Sequence, residues 1–315
     1  MALSRRRVRS PRSPDYGVLP TEQANPRVGS LDLLATERLV ATITREDRRA
    51  AASVGAVRRP LARAVDLVAA ALGAGGRLVY AGAGTSGRLG ALDAAECPPT
   101  FGVSRRQVIG VIAGGRRALW QAVEGAEDRG ADARRALRRL RVGPRDVVCA
   151  ICASGVTPFA LAAIDEARRR GAQTIAVTCA PSAALRALAD VLVAPRPGPE
   201  VLAGSTRMKA GLATKMVLHT LTTGAMVRLG KVYGNRMVDL RPTSRKLRAR
   251  ALRIVAEVTG LPPSPARALA RRAGGRPAVA LLMHRLGLSA PAARRRLAAH
   301  GGDVRSALGE RPSGR

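Results

Sequence analysis

The chain contains 315 residues, 46% of them hydrophobic and 2% aromatic, and its formal net charge is +32. Enough apolar side chains are present to bury one large core, which excludes intrinsic disorder for most of the chain. Arginines spread through every segment carry almost all of the positive charge, since only four lysines occur. This even spread does not indicate a specific nucleic-acid site, although nonspecific adhesion to polyanions is expected at low salt.

The four cysteines do not make a disulfide framework in a chain of this length. Cys149 and Cys152 have the spacing of a redox or zinc motif, but they lie inside an apolar run whose side chains alternate between two sheet faces. We therefore expect core thiols and no metal site. No apolar run is long enough to cross a membrane, so we expect no membrane partner and a cytoplasmic protein.

In chain order, residues 1–18 are rich in Arg, Ser and Pro and are predicted to form a disordered basic tail. Helical periodicity over residues 31–72 predicts two helices. Short apolar runs then predict five strands, at residues 77–81, 107–113, 146–153, 174–179 and 191–194. Because these runs alternate with helical segments, residues 19–239 are predicted to form an α/β domain, a doubly wound five-stranded parallel sheet flanked by helices.

Beyond residue 239 the sequence carries only helix signals. Four helices are predicted, at residues 245–259, 264–273, 277–286 and 291–299. We expect residues 240–315 to form a small helical C-terminal domain appended to the sheet.

Hydroxyl-bearing turns follow the first and third predicted strands. The residues concerned are Thr85, Ser86, Gly87, Ser154, Gly155 and Thr157. Parallel strands place such turns at one sheet edge, where helix N-termini also point unsatisfied N–H groups outward. Simple N-capping explains one such turn, whereas two turns at the same edge favour a phosphate pocket.

A dinucleotide site competes with this interpretation, because Gly82, Gly84 and Gly87 have the spacing of a Rossmann loop. A Rossmann site also needs an acidic residue at the end of the second strand for the ribose. The sequence offers only apolar residues and glycines at positions 110–115. We therefore expect no nicotinamide cofactor.

Three segments carry a specific resemblance. They read LDAAECPPT at residues 92–100, VEGAED at 123–128 and GSTRMKAG at 204–211. With weaker matches such as Thr21-Glu22-Gln23, they make the chain, over roughly residues 19–309, similar to the N-acetylmuramic acid 6-phosphate etherases. The resemblance implies a sugar-isomerase-type (SIS) phosphosugar-binding fold, a homodimer, a phosphosugar substrate and no cofactor. One departure is Val156, where the family usually has Arg.

The implied reaction cleaves the D-lactyl ether at C3 of the sugar and adds water there. Elimination beta to a carbonyl needs a base for the C2 proton and an acid for the leaving oxygen, roles that two carboxyl groups fill when their pKa values are driven apart. The resemblance points to Glu96 as acid and Glu127 as base, with the reverse assignment open. We expect Pro98 and Pro99 to form a rigid loop that shields Glu96 from water.

Further binding residues are expected before and at the start of a long helix. They are Glu200, Ser205, Arg207 and Lys209. Cations near a helix N-terminus are unfavourable to its dipole, so Arg207 and Lys209 indicate an anionic ligand, with Glu200 orienting them.

A second hypothesis, from another functional class, is a noncatalytic phosphosugar sensor of the glucokinase-regulator type, since the glucokinase regulatory proteins share the implied fold. The joint presence of Glu96 and Glu127, and the short single-unit length, favour the enzyme. A ketose–aldose isomerase is the nearest enzymatic rival, because it too removes a C2 proton.

Overall fold

The computed structural model of the chain describes residues 16–240, 242 and 244–310. Most of the predicted basic tail, residues 1–15, lies outside the described residues, as do residues 311–315. Tyr16–Val18 form a short 3-10 helix, so the last three residues assigned to that tail differ from the prediction. No helix in the described ranges is long and apolar enough to cross a membrane.

The elements follow the predicted alternation closely. Helices α1 (Thr36–Ala56) and α2 (Arg58–Gly73) precede the sheet. The strands are β1 (Leu78–Gly82), β2 (Val108–Ile112), β3 (Val147–Ile151), β4 (Gln173–Val177) and β5 (Val191–Val193). The helices among and after them are α3 (Gly84–Phe101), α4 (Gly130–Arg139), α5 (Pro158–Arg169), α6 (Ala183–Leu188) and α7 (Lys209–Arg228).

The five strands form one parallel sheet in the order β2-β1-β3-β4-β5, which confirms the predicted fold class. Each central strand is buried on both faces: Leu78 and Tyr80 pack with α2, α3 and α7, while Val79 and Ala81 pack with α4 and α5. The strand order reverses direction between β1 and β3. Helices α3 and α5 leave this point on opposite faces of the sheet and open a crevice at its carboxyl edge.

Helix α3 lies unusually close to the sheet because glycine occupies its contact positions. A Cβ atom on Gly87 would lie 2.6 Å from the carbonyl oxygen of Gly82, and one on Gly90 would lie 2.9 Å from Tyr80. Any side chain at Gly87 would therefore push the first turn of α3 away from the end of β1. The close approach fixes the first hydroxyl turn against the crevice.

The C-terminal residues pack around a core of their own. A hairpin of β6 (Val232–Tyr233) and β7 (Arg236–Met237) leads into α8 (Arg245–Thr259), α9 (Pro263–Arg272), α10 (Pro277–Leu286), α11 (Ala290–Ala299) and α12 (Val304–Leu308). Residues 278–282 of α10 are fully buried at the centre of this cluster. We propose that the described residues within the predicted range 240–315 form the predicted second domain. The hairpin and α12 were not predicted.

A buried ion pair joins the N-terminal segment, residues 19–30, to α1 and α7. The Lys209 ammonium donates to Glu46 Oε2 at 2.7 Å and to the Pro199 carbonyl at 2.9 Å, and both charged side chains are fully buried. Asn25 Nδ2 donates to the same Glu46 oxygen at 2.9 Å. Burial alone would raise the pKa of Glu46, but hydrogen bonds from Lys209, Asn25 and Arg27 outweigh it and lower the pKa to about 2.

We predict that Lys209→Met lowers the free energy of unfolding by up to about 3–5 kcal/mol, because it removes the buried cation of the pair. Among the described residues, the Glu46 carboxylate then keeps only Arg27 and Arg49, whose side chains are 40% and 50% exposed, as charged partners. Chemical denaturation measures the change. The double variant Lys209→Met/Glu46→Leu should lose less than the single variant, since an apolar pair leaves no buried charge. Lys246→Met, at an exposed lysine on α8, is the matched control and should change stability by less than about 0.5 kcal/mol. Equal losses at Lys209 and Lys246 would contradict the structural role of the pair.

Candidate active site

A cavity of about 380 Å³ opens at the carboxyl edge of the sheet, between the turns that follow β1 and β3. The segment before α4, the start of α7 and the N-terminal segment complete its wall. Its lining residues are Glu22, Ala83, Gly84, Thr85, Ser86, Glu127, Asp128, Ile151, Cys152, Ala153, Ser154, Val156, Thr157, Pro158, Gly204, Thr206, Ala210, Gly211 and Thr214.

Thr85 and Ser86 lie in the first turn of α3 and line the cavity. The N-cap of this helix is Ala83, which makes no side-chain cap bond, and neither hydroxyl caps the helix. The hydroxyls and the free N–H groups of the first turn therefore face the cavity together, the arrangement that binds anions at helix N-termini. Gly87 does not line the cavity and acts by allowing α3 to approach β1.

The second hydroxyl turn is wound around a buried sulfur. Cys152 Sγ accepts the Gly155 N–H at 3.1 Å and the Thr157 N–H at 3.3 Å. Gly155 has φ +77°, and a Cβ atom there would lie 1.9 Å from the Ala180 carbonyl oxygen, so only glycine fits. This turn brings Ser154 and Thr157 to the cavity, and Thr157 makes no side-chain cap bond to α5.

Glu127 is held at the cavity by the N-terminus of α5. The Phe159 N–H donates to the Glu127 carbonyl oxygen at 2.9 Å, and Glu127 lines the cavity beside Asp128. Phe159 belongs to α5 and is buried in the core that α5 shares with α4, which fixes the position of the segment before α4. The structure thus brings Glu127 together with both hydroxyl turns.

Glu96 lies elsewhere in the same chain. It is exposed on α3 and does not line the cavity. The eleven residues that separate it from Thr85 correspond to about 16 Å along the helix axis. Pro98 and Pro99 lie inside α3, so the predicted rigid loop that would shield Glu96 from water is not present.

Glu200 and Lys209 are buried beneath the cavity wall, outside its lining. The Glu200 carboxylate accepts the N–H groups of Lys209 at 2.8 Å and Ala210 at 2.9 Å and so caps α7. Burial raises the pKa of Glu200, although these N–H groups oppose the shift. Lys209 was predicted to bind an anionic ligand, but its charge is paired with the carboxylate of Glu46.

Ser205 and Arg207 also lie outside the lining, beside Thr206, which does line it. Arg207 is exposed and Ser205 is half-buried. The expected roles of Ser205 and Arg207 in ligand binding therefore stay predictions.

Sequence reasoning missed several lining residues, namely Glu22, Asp128, Thr206 and Thr214. The sequence marked Glu22 only as part of a family motif. Because it lies far from the predicted strands in the sequence, no local pattern predicted that it would line the cavity. Glu22 adds a third carboxylate to those of Glu127 and Asp128, and no lysine, arginine or histidine is found among the described lining residues.

Two family models match parts of the chain. The model described as the glucokinase regulatory protein N-terminal SIS domain matches residues 60–168, and the SIS domain model matches residues 130–224. A solved phosphoheptose isomerase from Neisseria gonorrhoeae is 19% identical, with a TM-score of 0.47 over 60% of this chain and 97% of the other. That structural likeness is too weak to bear on the site.

Two curated relatives match nearly the full length. An N-acetylmuramic acid 6-phosphate etherase of Synechocystis sp. is 48% identical over 95% of this chain and 98% of its own length. One of Rubrobacter xylanophilus is 50% identical over 93% of this chain and 97% of its own length. At this identity and coverage, the chain belongs to the N-acetylmuramic acid 6-phosphate etherase family.

Proposed function

We propose that this chain is a carbon–oxygen lyase that converts N-acetylmuramic acid 6-phosphate and water into N-acetylglucosamine 6-phosphate and D-lactate. The observation that carries the proposal is the cavity in which Glu127 faces two hydroxyl turns at helix N-termini. The etherase relatives, similar over almost the whole chain, support the same reaction. Free, buried thiols at all four cysteines fit a reducing compartment, and we assign the enzyme to the cytoplasm.

The phosphate of the substrate binds Thr85, Ser86, Ser154 and Thr157 at the N-termini of α3 and α5. Thr85, Ser86 and Thr157 make no cap bonds to their helices, so their hydroxyls are available to a ligand. Within the described ranges, the Ser154 hydroxyl makes only long contacts in its own turn, to the Val156 N–H at 3.5 Å and to Cys152 Sγ at 3.6 Å. The carboxylates of the cavity repel an anion, which directs the phosphate to the hydroxyl turns and the sugar carbons towards Glu127. Val156 supplies no charge to the phosphate, and Arg207 closes over it from the rim.

Glu127 acts as the base that removes the C2 proton of the open-chain aldehyde. Loss of that proton expels the lactate oxygen at C3, which takes a proton from the acid, and water then adds to the resulting double bond. Glu96 is the acid in this assignment. Glu200 and Lys209 hold the start of α7 in place and do not contact the substrate.

The enzyme functions as a homodimer in which Glu96 reaches the cavity of the second copy. Within one chain, Glu96 lies about 16 Å along α3 from the hydroxyl turn. Its neighbours on the exposed face of α3 are Leu92, Ala95 and Pro99, an apolar surface in a strongly basic chain. Such a surface is suited to a contact between copies, which would shield Glu96 from water.

The noncatalytic sensor remains the second candidate, because one family model matches a domain of the glucokinase regulatory protein. That match covers 109 residues, whereas the etherase relatives match 93–95% of the chain. Because the etherase relatives match far more of the chain than the regulatory-protein model does, the enzyme is favoured over the sensor.

Replacing Ser86 or Ser154 with Ala should weaken binding of the phosphorylated sugar by about 1–3 kcal/mol, the cost of a lost hydrogen bond to a charged group. Calorimetry with N-acetylglucosamine 6-phosphate and with unphosphorylated N-acetylglucosamine measures the difference. The control Ser104→Ala lies at an exposed site outside the cavity and should leave both affinities unchanged. Equal losses for both ligands would mean that the serines do not contact the phosphate.

The wild-type protein should release D-lactate from N-acetylmuramic acid 6-phosphate, and it should exchange the C2 hydrogen of the product sugar with deuterated solvent. Glu127→Gln should reduce both processes by about 10²- to 10⁴-fold, because both require the same base. Glu96→Gln should block lactate release and retain C2 exchange, since deprotonation precedes departure of the leaving group.

Glu124→Gln is the matched control for this pair, because Glu124 is exposed in the same segment and does not line the cavity. It should keep both activities. A wild-type protein that releases no lactate would refute the lyase, and a swapped exchange pattern would reverse the roles of the two glutamates.

A further inference from the structure

The N-terminal segment contributes a carboxylate to the active-site cavity that the reaction scheme above does not use. Glu22 lines the same cavity as Glu127 and both hydroxyl turns, although it precedes the sheet by more than fifty residues. Its carboxylate has no lysine or arginine within ion-pair distance among the described residues, in a chain with 54 basic and 22 acidic side chains. Apart from a hydrogen bond from the adjacent Thr21 hydroxyl, this exposed carboxylate keeps acceptor capacity at the cavity wall.

The backbone around Glu22 is fixed on both sides. Its N–H donates to the Leu19 carbonyl at 2.9 Å, and the Thr21 carbonyl accepts the Gly204 N–H at 3.1 Å. The Thr21 hydroxyl donates to Glu22 Oε1 at 3.3 Å. The position is therefore built by the fold and is not that of a loose terminus.

Gly204 makes room for the carboxylate. Its φ is +77°, and a Cβ atom at this residue would lie 3.0 Å from Glu22 Oε2. Asn25, three residues after Glu22, is buried and donates hydrogen bonds to Glu46 and to the Pro199 carbonyl. These bonds anchor the N-terminal segment to the Lys209 ion pair. The buried network thus holds the carboxylate at the cavity wall.

We propose that Glu22 is a further substrate-binding residue, which accepts hydrogen bonds from the hydroxyl or amide groups at the sugar end of the ligand. This inference rests on the proposed function for the identity of the sugar phosphate. Repulsion between like charges excludes the phosphate from the neighbourhood of Glu22 and leaves it to the hydroxyl turns. The donors of an N-acetylated sugar complement a carboxylate acceptor. Glu22 therefore selects the sugar, and the hydroxyl turns select the phosphate.

Calorimetry on the full chain tests the inference with N-acetylglucosamine 6-phosphate and, separately, inorganic phosphate. Glu22→Gln should weaken binding of the sugar phosphate by about tenfold to a hundredfold, the effect of losing a charged hydrogen bond. Affinity for inorganic phosphate should stay within about twofold or rise slightly, because one negative charge has been removed. Lactate release should lose kcat/KM in the same proportion as sugar-phosphate affinity.

Glu37→Gln makes the same chemical change at an exposed site on α1 and should alter none of these values. Unchanged binding of the sugar phosphate by Glu22→Gln would overturn the inference. So would a parallel loss of sugar phosphate and inorganic phosphate together with a lower melting temperature, since that pattern marks a loosened segment. Failure of the wild type to release lactate would refute the lyase alone, because the two binding affinities still test Glu22.

Discussion

Lys209 places a positive charge where no water reaches it, and the surroundings of the cavity depend on how that charge is neutralised. Its ammonium bonds Glu46 of α1 and the Pro199 carbonyl, while its own N–H bonds Glu200. One residue therefore ties α1, the segment after β5 and the start of α7 into a single unit. Asn25 joins the same carboxylate and adds the N-terminal segment. A buried charge held by several partners is costly to break, so these contacts stabilise the elements around the cavity.

The cavity wall carries two kinds of group. Two helix N-termini with their hydroxyl side chains attract anions, whereas the carboxylates of Glu22, Glu127 and Asp128 repel them. We propose that a sugar phosphate binds there in one orientation, with its phosphate at the hydroxyl turns. In this proposed orientation the sugar carbons lie beside Glu127, which is what removal of a proton next to a carbonyl requires. Binding of the phosphate and chemistry at C2 are thus parts of one electrostatic arrangement.

The sheet could be predicted from the sequence because parallel strands are buried on both faces and read as continuous apolar runs. The run at residues 146–153 and β3 at Val147–Ile151 illustrate how closely the two agree. The hydroxyl turns followed from the rule that parallel strands end at one edge. The buried ion pair of Lys209 could not be predicted, because its partner Glu46 lies 163 residues away and no local pattern links them. Glu22 was missed for the same reason. The short strands β6 and β7 have two residues each and show no periodicity to detect.

We propose that each cavity combines Glu127 of one chain with Glu96 of a second copy. Mixing the variants Glu127→Gln and Glu96→Gln under conditions that exchange subunits, then assaying lactate release, tests it directly. In a mixed dimer one cavity carries both substitutions and the other carries neither. Random exchange of equal amounts should therefore restore about one quarter of the wild-type activity from two inactive parents. If Glu96 instead served the cavity of its own chain, every cavity in the mixture would contain one substitution, and no activity would return.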